Sequence, residues 1–495
     1  MSTGAEHGPR RIPPAGALGL LLALTLVSGC TVGPNYRAQL GETPPAWLGA
    51  TSALGPPAGA AAELVMARWW TVFQDPQLSA LIERAIPSNL ELKLAAARVR
   101  QARASRGIAA AGAGPSANAT GGLTRSRPAG SVASGKRPSP ATQYQTGFDA
   151  AWEFDLAGGV RRGIEAADAD LLATEAAQQG ARITLVAEVA RTYVELRLLQ
   201  QRLEIARQNL TSQQHTAELT RKRLAGGLVN GLDVANAQAQ VAATAAQIPV
   251  LEASAQQTVY GLSLLLGLAP GALLPELAPA GALPVAPLAV PLGVPSELLR
   301  RRPDIRQAEA QIQAATARIG VATADLYPRF TLSGAVGYQA AHAGNLINPL
   351  SQFWSLGPSV TWNVFASGRI RSNIELQKAL EEESAIAYRQ TVLTALQEVE
   401  NALVAATKEQ EHSQTLTAAT EAYRRAARLA ATLYAEGQTD FLNVLLAQRA
   451  LQAAEDASAQ SRAALSTHLI ALYKALGGGW DTGAAAPGDS APAAP

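Results

Sequence analysis

Among the residues able to do chemistry, one thiol stands apart. Cys30 is the sole cysteine of 495 residues, and it follows Ser28 and Gly29 at the end of an apolar run, residues 15–27, that Arg10 and Arg11 precede. That order is the pattern of a secretory signal too short to persist as a membrane-spanning helix. Small side chains before the cysteine let a lipoprotein signal peptidase hold the backbone, and the thiol takes up a diacylglyceryl chain, so Cys30 is a candidate lipidation site. One cysteine excludes an intrachain disulfide framework, and His7, His215, His342, His412 and His468 are scattered with no recognisable metal spacing. No nucleophile, base or metal constellation is visible, so no enzyme, no metal and no cofactor are expected. The densest charged cluster is Arg300-Arg301-Arg302-Pro303-Asp304. An anion site is one reading of it. A helix start is the other, because proline fits the first turn and an acid favours the positive end of the dipole. The formal net charge of +2 gives no argument for nucleic acid.

The elements that must position these residues are legible from hydrophobic period. In residues 143–156, Tyr144, Thr146, Phe148, Ala150, Trp152, Phe154 and Leu156 alternate with Gln143, Gln145, Gly147, Asp149, Ala151, Glu153 and Asp155, the two-residue period of a strand with one apolar face. After Gly158 the period becomes helical. The same switch recurs in residues 354–371, where Trp354, Leu356, Pro358, Val360, Trp362 and Val364 form the apolar row. An offset of 210 residues (362 − 152) superposes the copies without a gap, carrying Gly158 onto Gly368, Glu188 onto Glu398, Gly227 onto Gly437 and Gly267 onto Gly477. A register held that long implies two equivalent halves, a duplication rather than a short-period solenoid.

In chain order, the expected organisation is a lipoprotein signal peptide at 1–29, an extended segment at 30–68, a first repeat at 69–268, a Pro-rich linker at 269–295, a second repeat at 296–477 and a disordered tail at 478–495. Asp75-Pro76 opens a helix expected to run through Leu90 to Ile108, and a weaker alternation at 117–123 gives a strand joined by a basic loop to the next. From Gly158 no proline intervenes until Pro249, and Val186, Val189, Tyr193, Leu196, Leu199, Leu203 and Leu210 step as a coiled-coil seam. A helix to Gly226 would be roughly 100 Å long. Gly226, Gly227 and Gly231 break it, and Asp233 is placed to cap the returning helix. The second half repeats the plan, with a strand carrying Phe330, Leu332, Val336 and Tyr338, and seam residues Val392, Leu396, Val399, Leu403, Leu429 and Leu433.

A soluble sheet packed on the helices would explain one apolar face. The strands are nonetheless long enough to cross a bilayer, and their other face is small and sparsely charged for a solvent surface but fits a water-filled lumen. Backbone groups in lipid must all be paired, so a membrane sheet must close, and four strands cannot. Three chains would supply twelve.

At this point the chain resembles the TolC-like outer membrane factors of the NodT/OprM lipoprotein branch. The resemblance rests on CTVGPNYR at 30–37, WWTVFQDPQLSALIERAIPSNLEL at 69–92, FDLAGGVRR at 154–162, LLRRRPDIRQAEA at 298–310 and GQTDFLNVLLAQRALQ at 437–452. It implies an α+β membrane protein in which a trimeric twelve-stranded β-barrel, four strands per chain, is continued by a long α-helical coiled-coil periplasmic tunnel. It also implies an outer membrane location with a lipid anchor in the outer membrane lipid, a homotrimer, and a role as the channel of a tripartite efflux system. The partners would be a periplasmic adaptor, or membrane fusion protein, and an inner-membrane RND-type transporter. An exit duct for secreted proteins and a non-conducting coiled-coil tether remain as alternatives. By the same resemblance the helix turns form a periplasmic tip and gate, with Gly227, Asp233, Tyr434, Gly437, Asp440 and Arg449 as its residues. Relatives of this kind often carry aspartates at the positions matched by Asn443 and Leu446. Neither is charged here, so rings of Leu442 or Leu446 are expected to close the tunnel by dewetting.

Overall fold

The computed structural model describes residues 31–38, 43–49, 65–127, 129 and 139–480, which divide into two compact units. The expected signal peptide, Cys30 and residues 481–495 of the expected tail lie outside the described residues. The principal helices are α1 (Pro76–Ser88), α2 (Leu90–Ala111), α3 (Gly159–Ala225), α4 (Gly231–Leu265), α5 (Pro295–Arg301), α6 (Pro303–Ala324), α7 (Arg369–Ala435) and α8 (Phe441–Ala475). The strands are β1 (Ser116–Ser126), β2 (Ala141–Phe154), β3 (Arg329–Ala340) and β4 (Gln352–Thr361).

The duplication appears in the lengths. Helices α3 and α7 both hold 67 residues and α4 and α8 both 35, each pair offset by 210 (369 − 159, 441 − 231). Helices α2 and α6, 22 residues each, and the starts of β1 and β3 are offset by 213 instead (303 − 90, 329 − 116). The gapless superposition therefore holds only from the second strand of each half onward. Three residues separate the copies in the loop between paired strands, where a change of length disturbs no packed element.

One unit holds residues 101–172 and 309–386 with the strap 31–38. Its strands form an antiparallel meander in the order β1-β2-β3-β4. The register puts Leu123, Tyr144, Phe148, Trp152, Leu332, Val336, Trp354, Leu356 and Val360 on one face, and Asn118, Gln145, Asp149, Ser333, Ser355 and Ser359 on the other. Trp362 and Val364, placed in the strand by their alternation, stand beyond the last pair of β4, as Leu156 stands beyond β2. Trp362 is held there by its ring nitrogen, which donates to the Leu326 carbonyl at 3.0 Å, while Trp152 donates to the Ala113 carbonyl at 2.9 Å. These acceptors are themselves equivalent (326 − 113 = 213), so each tryptophan fastens a strand end to the helix end that precedes the sheet.

The other unit is helical. Its core packs Trp69, Trp70, Leu78, Leu81 and Ile82 against Val186, Val189, Tyr193 and Leu196 of α3, Val399 and Leu403 of α7, and Leu469 and Tyr473 of α8. The seam residues near the middle of each long helix are thus buried, whereas Leu429 is 60% exposed and does not belong to it. The single helix expected from Pro76 to Ile108 is broken at Asn89, whose ψ of 133° leaves the helical region. Its side-chain oxygen instead accepts from Leu92 N–H at 3.0 Å to cap α2, and its amide donates to the Leu265 carbonyl at 2.8 Å.

Candidate functional site

The turns between the long and returning helices are built from glycine and a capping side chain. Gly227 and Gly437 adopt φ of 71° and 80°, the left-handed region in which a Cβ costs energy. This lets Leu228 N–H reach the Arg223 carbonyl at 2.9 Å and Gln438 N–H reach the Leu433 carbonyl at 2.8 Å, satisfying carbonyls of the last turn. The next helix begins on Asn230 in one copy and Asp440 in the other. Each accepts through Oδ1, from Asp233 N–H and Asn443 N–H respectively, both at 3.0 Å. Asp233 is therefore not the cap its position suggested, because Asn230, extended just ahead of α4, takes that role and leaves the Asp233 carboxylate in the first turn. The copies have exchanged an amide for an acid at both positions: Asn230 matches Asp440 and Asp233 matches Asn443.

A small core of Ala217, Ala237, Tyr434, Phe441, Val444 and Leu445 joins the two hairpins at these turns. Arg223 donates to the Tyr434 carbonyl and lies over the Tyr434 ring, its guanidinium carbon 4.6 Å from the centroid. The Tyr434 hydroxyl donates to Thr220 Oγ1 at 3.2 Å. Further along, Gln448 donates to Thr216 Oγ1 at 2.9 Å and Arg449 to Gln240 Oε1 at 2.7 Å. Of the candidate tip residues, Tyr434, Gly437 and Arg449 thus belong to the contact between hairpins. Leu442 and Leu446 are 56% and 54% exposed, and with Asn443, Asp440 and Asp233 they occupy the starts of the returning helices. Sequence reasoning missed Arg223, Thr220, Gln240 and Gln448. A basic residue in the last turn before Gly226-Gly227 was the available signal, but its acceptor lies 211 residues away.

The arginine cluster serves structure. Arg302, buried, donates to the Ala475 carbonyl at 2.9 Å and pairs with Asp304 at 2.6 Å and Glu398 at 2.7 Å. Burial works to lower its pKa, but the two carboxylates outweigh it and raise the net value. Arg302 stands where the first repeat has Asn89 (302 − 89 = 213), and their acceptors, Ala475 and Leu265, are equivalent by 210.

Two further surfaces bear on function. The strap beside Cys30 is pinned: Val32 N–H donates to the Ala157 carbonyl at 3.1 Å, and buried Arg162 donates to the Val32 carbonyl at 3.1 Å and Asn35 Oδ1 at 2.5 Å. The absence of a side chain at Gly320 makes room for Arg162, whose Cγ lies 2.7 Å from where a Cβ would stand. The apolar face of the sheet is open, with Phe148 65%, Leu356 69% and Trp354 77% exposed. Among the described residues, strands β1 and β4 each pair on one side only.

Residues 81–268 and 294–478, the two repeats, match the outer membrane efflux protein family. The chain belongs to that family. Outer membrane protein OprJ of Pseudomonas aeruginosa is 33% identical over 474 residues, covering 96% of this chain and 98% of that protein. Nodulation protein T of Rhizobium leguminosarum bv. trifolii is 31% identical over 463 residues, with 92% and 96% covered. Among solved structures, the outer-membrane channel OprN superposes with a TM-score of 0.84 at 39% identity, covering 91% of this chain and 100% of that one. Outer membrane efflux proteins are channel proteins, and this chain is accordingly the outer membrane channel of an efflux system, with the antiparallel sheet as its membrane element.

Proposed function

We propose that three copies of the chain close one twelve-stranded barrel and conduct small molecules passively outward, receiving them from a periplasmic adaptor and an inner-membrane RND-type transporter. The observation that carries this reading is the four-stranded sheet with an open apolar face and two unpaired edges. In lipid each unpaired backbone group costs several kcal/mol, so edges must be paired by other copies. Cys30, acylated, anchors the mature N-terminus, which the Arg162 clasp then holds at the strand-to-helix junction.

The gate lies at the helix turns. Leu442 and Leu446 offer apolar side chains at the start of α8, and three copies make a constriction that excludes water. Asp440 spends one carboxylate oxygen on capping, and Asn443 carries no charge. An acidic ring would thus fall to Asp233 and the remaining oxygen of Asp440. Planar bilayers containing the purified protein should show discrete conductance steps. A detergent-solubilised particle holding a single chain and conducting nothing would sink both the trimer and the channel role.

A further inference from the structure

At its loop end the first hairpin of the sheet carries charge that the second lacks there. On the apolar face of β1, Leu123 is followed by Arg125, which pairs with Thr142, and Arg127 continues the alternation one step past the strand. Both arginines are exposed and neither has an ion-pair partner among the described residues. The sequence holds no acidic residue between Glu91 and Asp149, so the whole strand and its flanks are cationic. In the second repeat the matching residues are Tyr338 and Ala340 (338 − 125 = 213). An interfacial tyrosine is ordinary at the rim of a barrel, and arginine at that depth reaches its guanidinium to the headgroups.

The duplication supplies the other half of this surface. The hairpins pair identically: Ser116 with Ala151 maps onto Arg329 with Thr361, and Leu123 with Tyr144 onto Val336 with Trp354. The same offsets applied to the β2–β3 pairing give the pairing of β1 with the β4 of the next copy in a closed ring. Thr146 with Tyr338 becomes Leu356 of the partner subunit facing Arg125, and Tyr144 with Ala340 becomes Trp354 of the partner subunit facing Arg127.

Resting on the barrel reading above, we propose that each seam between copies binds the phosphorylated headgroup of an outer-leaflet lipid. Arg125 and Arg127 hold the phosphate oxygens, for which the planar guanidinium fork is suited. Trp354 of the partner subunit packs beside Arg127, and Leu123 with Leu356 of the partner subunit receives the upper acyl carbons. Opposite charge, an apolar floor and the absence of any competing carboxylate select an anionic lipid over a zwitterionic or neutral one.

Retention of diphosphorylated lipid A by the full-length protein, followed by native mass spectrometry, tests this. Dephosphorylated lipid A serves as the comparison and millimolar inorganic phosphate as the competitor. Wild type should retain the diphosphorylated form, reject the dephosphorylated one and lose nothing to free phosphate. Arg125→Gln or Arg127→Gln should each weaken retention about fivefold, and the pair roughly twentyfold. A charge-preserving exchange, Thr124→Arg with Arg125→Thr, moves the charge to the opposite face and should lose as much as Arg125→Gln alone. Retention that survives this exchange, or that free phosphate abolishes, would overturn the site. Trimers with unchanged retention in the double variant overturn this site alone, whereas a wild type that forms no trimer removes the channel reading beneath it.

Discussion

Two buried tyrosines of the helical unit separate a bonded hydroxyl from an unbonded one. Tyr193 Oη donates to Asp75 Oδ2 at 2.9 Å and accepts from Arg197 Nε at 3.0 Å, whereas the Tyr473 hydroxyl is buried with no partner among the described residues. Tyr473 stacks on Trp69, centroids 5.4 Å apart, a contact that phenylalanine would keep. Tyr473→Phe should therefore stabilise the fold by about 1 kcal/mol and raise the thermal midpoint, and Tyr193→Phe should destabilise it by a similar amount and lower the midpoint. Burial pushes both hydroxyls up to about 12. A tyrosine whose folded pKa exceeds its unfolded value of 10 contributes stability that is complete below pH 10 and lost as pH rises from 10 to 12. Alkaline titration followed at 295 nm should show these two ionising late and together with unfolding; ionisation near pH 10 in the folded protein would refute the burial. At the tip, Leu446→Ser should raise single-channel conductance more than Asn443→Ala, because only the former removes an apolar wall. Strong block by multivalent cations, abolished by replacing Asp233 or Asp440, would show an acidic ring to be the gate instead. At this scale the sequence revealed identity and local caps such as Asp75. It hid partners such as Arg223 and Tyr434, which only the folded chain brings together.

Helix ends are where element-scale reasoning succeeded and where its errors lie. The glycines that close α3, α4, α7 and α8, namely Gly227, Gly267, Gly437 and Gly477, all take positive φ, and the repeat offset had already matched them in pairs. Their surroundings differ. A Cβ on Gly227 meets nothing within 4 Å, one on Gly477 comes within 3.3 Å of the Arg301 carbonyl oxygen, and one on Gly267 within 2.8 Å of the Ser88 carbonyl oxygen. Gly227→Ala should thus cost only the left-handed backbone term, about 1 kcal/mol, and Gly267→Ala at least about twice that, with Gly477→Ala between. Denaturant midpoints of the three variants give the order, and equal losses would show that backbone conformation alone matters. The break at Asn89 did carry a local signal, since Pro87 and Ser88 stand immediately before a capping amide, but the unbroken helical period of residues 76–108 hid it. Asn89 caps α2 and also binds the end of α4, a contact that only the folded chain supplies.

At the scale of the whole molecule, the duplication determines how copies must meet. A two-stranded unit repeated twice, with one register inside each unit and one between them, closes a ring with one common stagger by repeating the junction register at the seam between chains. The periodicity of residues 143–161 and 354–371 showed the repeat, but not the three-residue difference that changes its offset, and register needs both offsets. With them, the β2–β3 pair Ala150 with Gly334 becomes Val360 facing Gly121 of the partner subunit. Facing residues on adjacent antiparallel strands hold their Cβ atoms about 5 Å apart, within reach of a short cross-linker. Gly121→Cys combined with Val360→Cys should therefore join chains into covalent dimers and trimers on brief oxidation in outer membranes. Gly121→Cys with Leu356→Cys, four residues out of register and about 13 Å away along the strand, should not. Cross-linking of the second pair in preference to the first would mean that the seam slips relative to the internal junction, and the twelve strands would not then close with one common stagger.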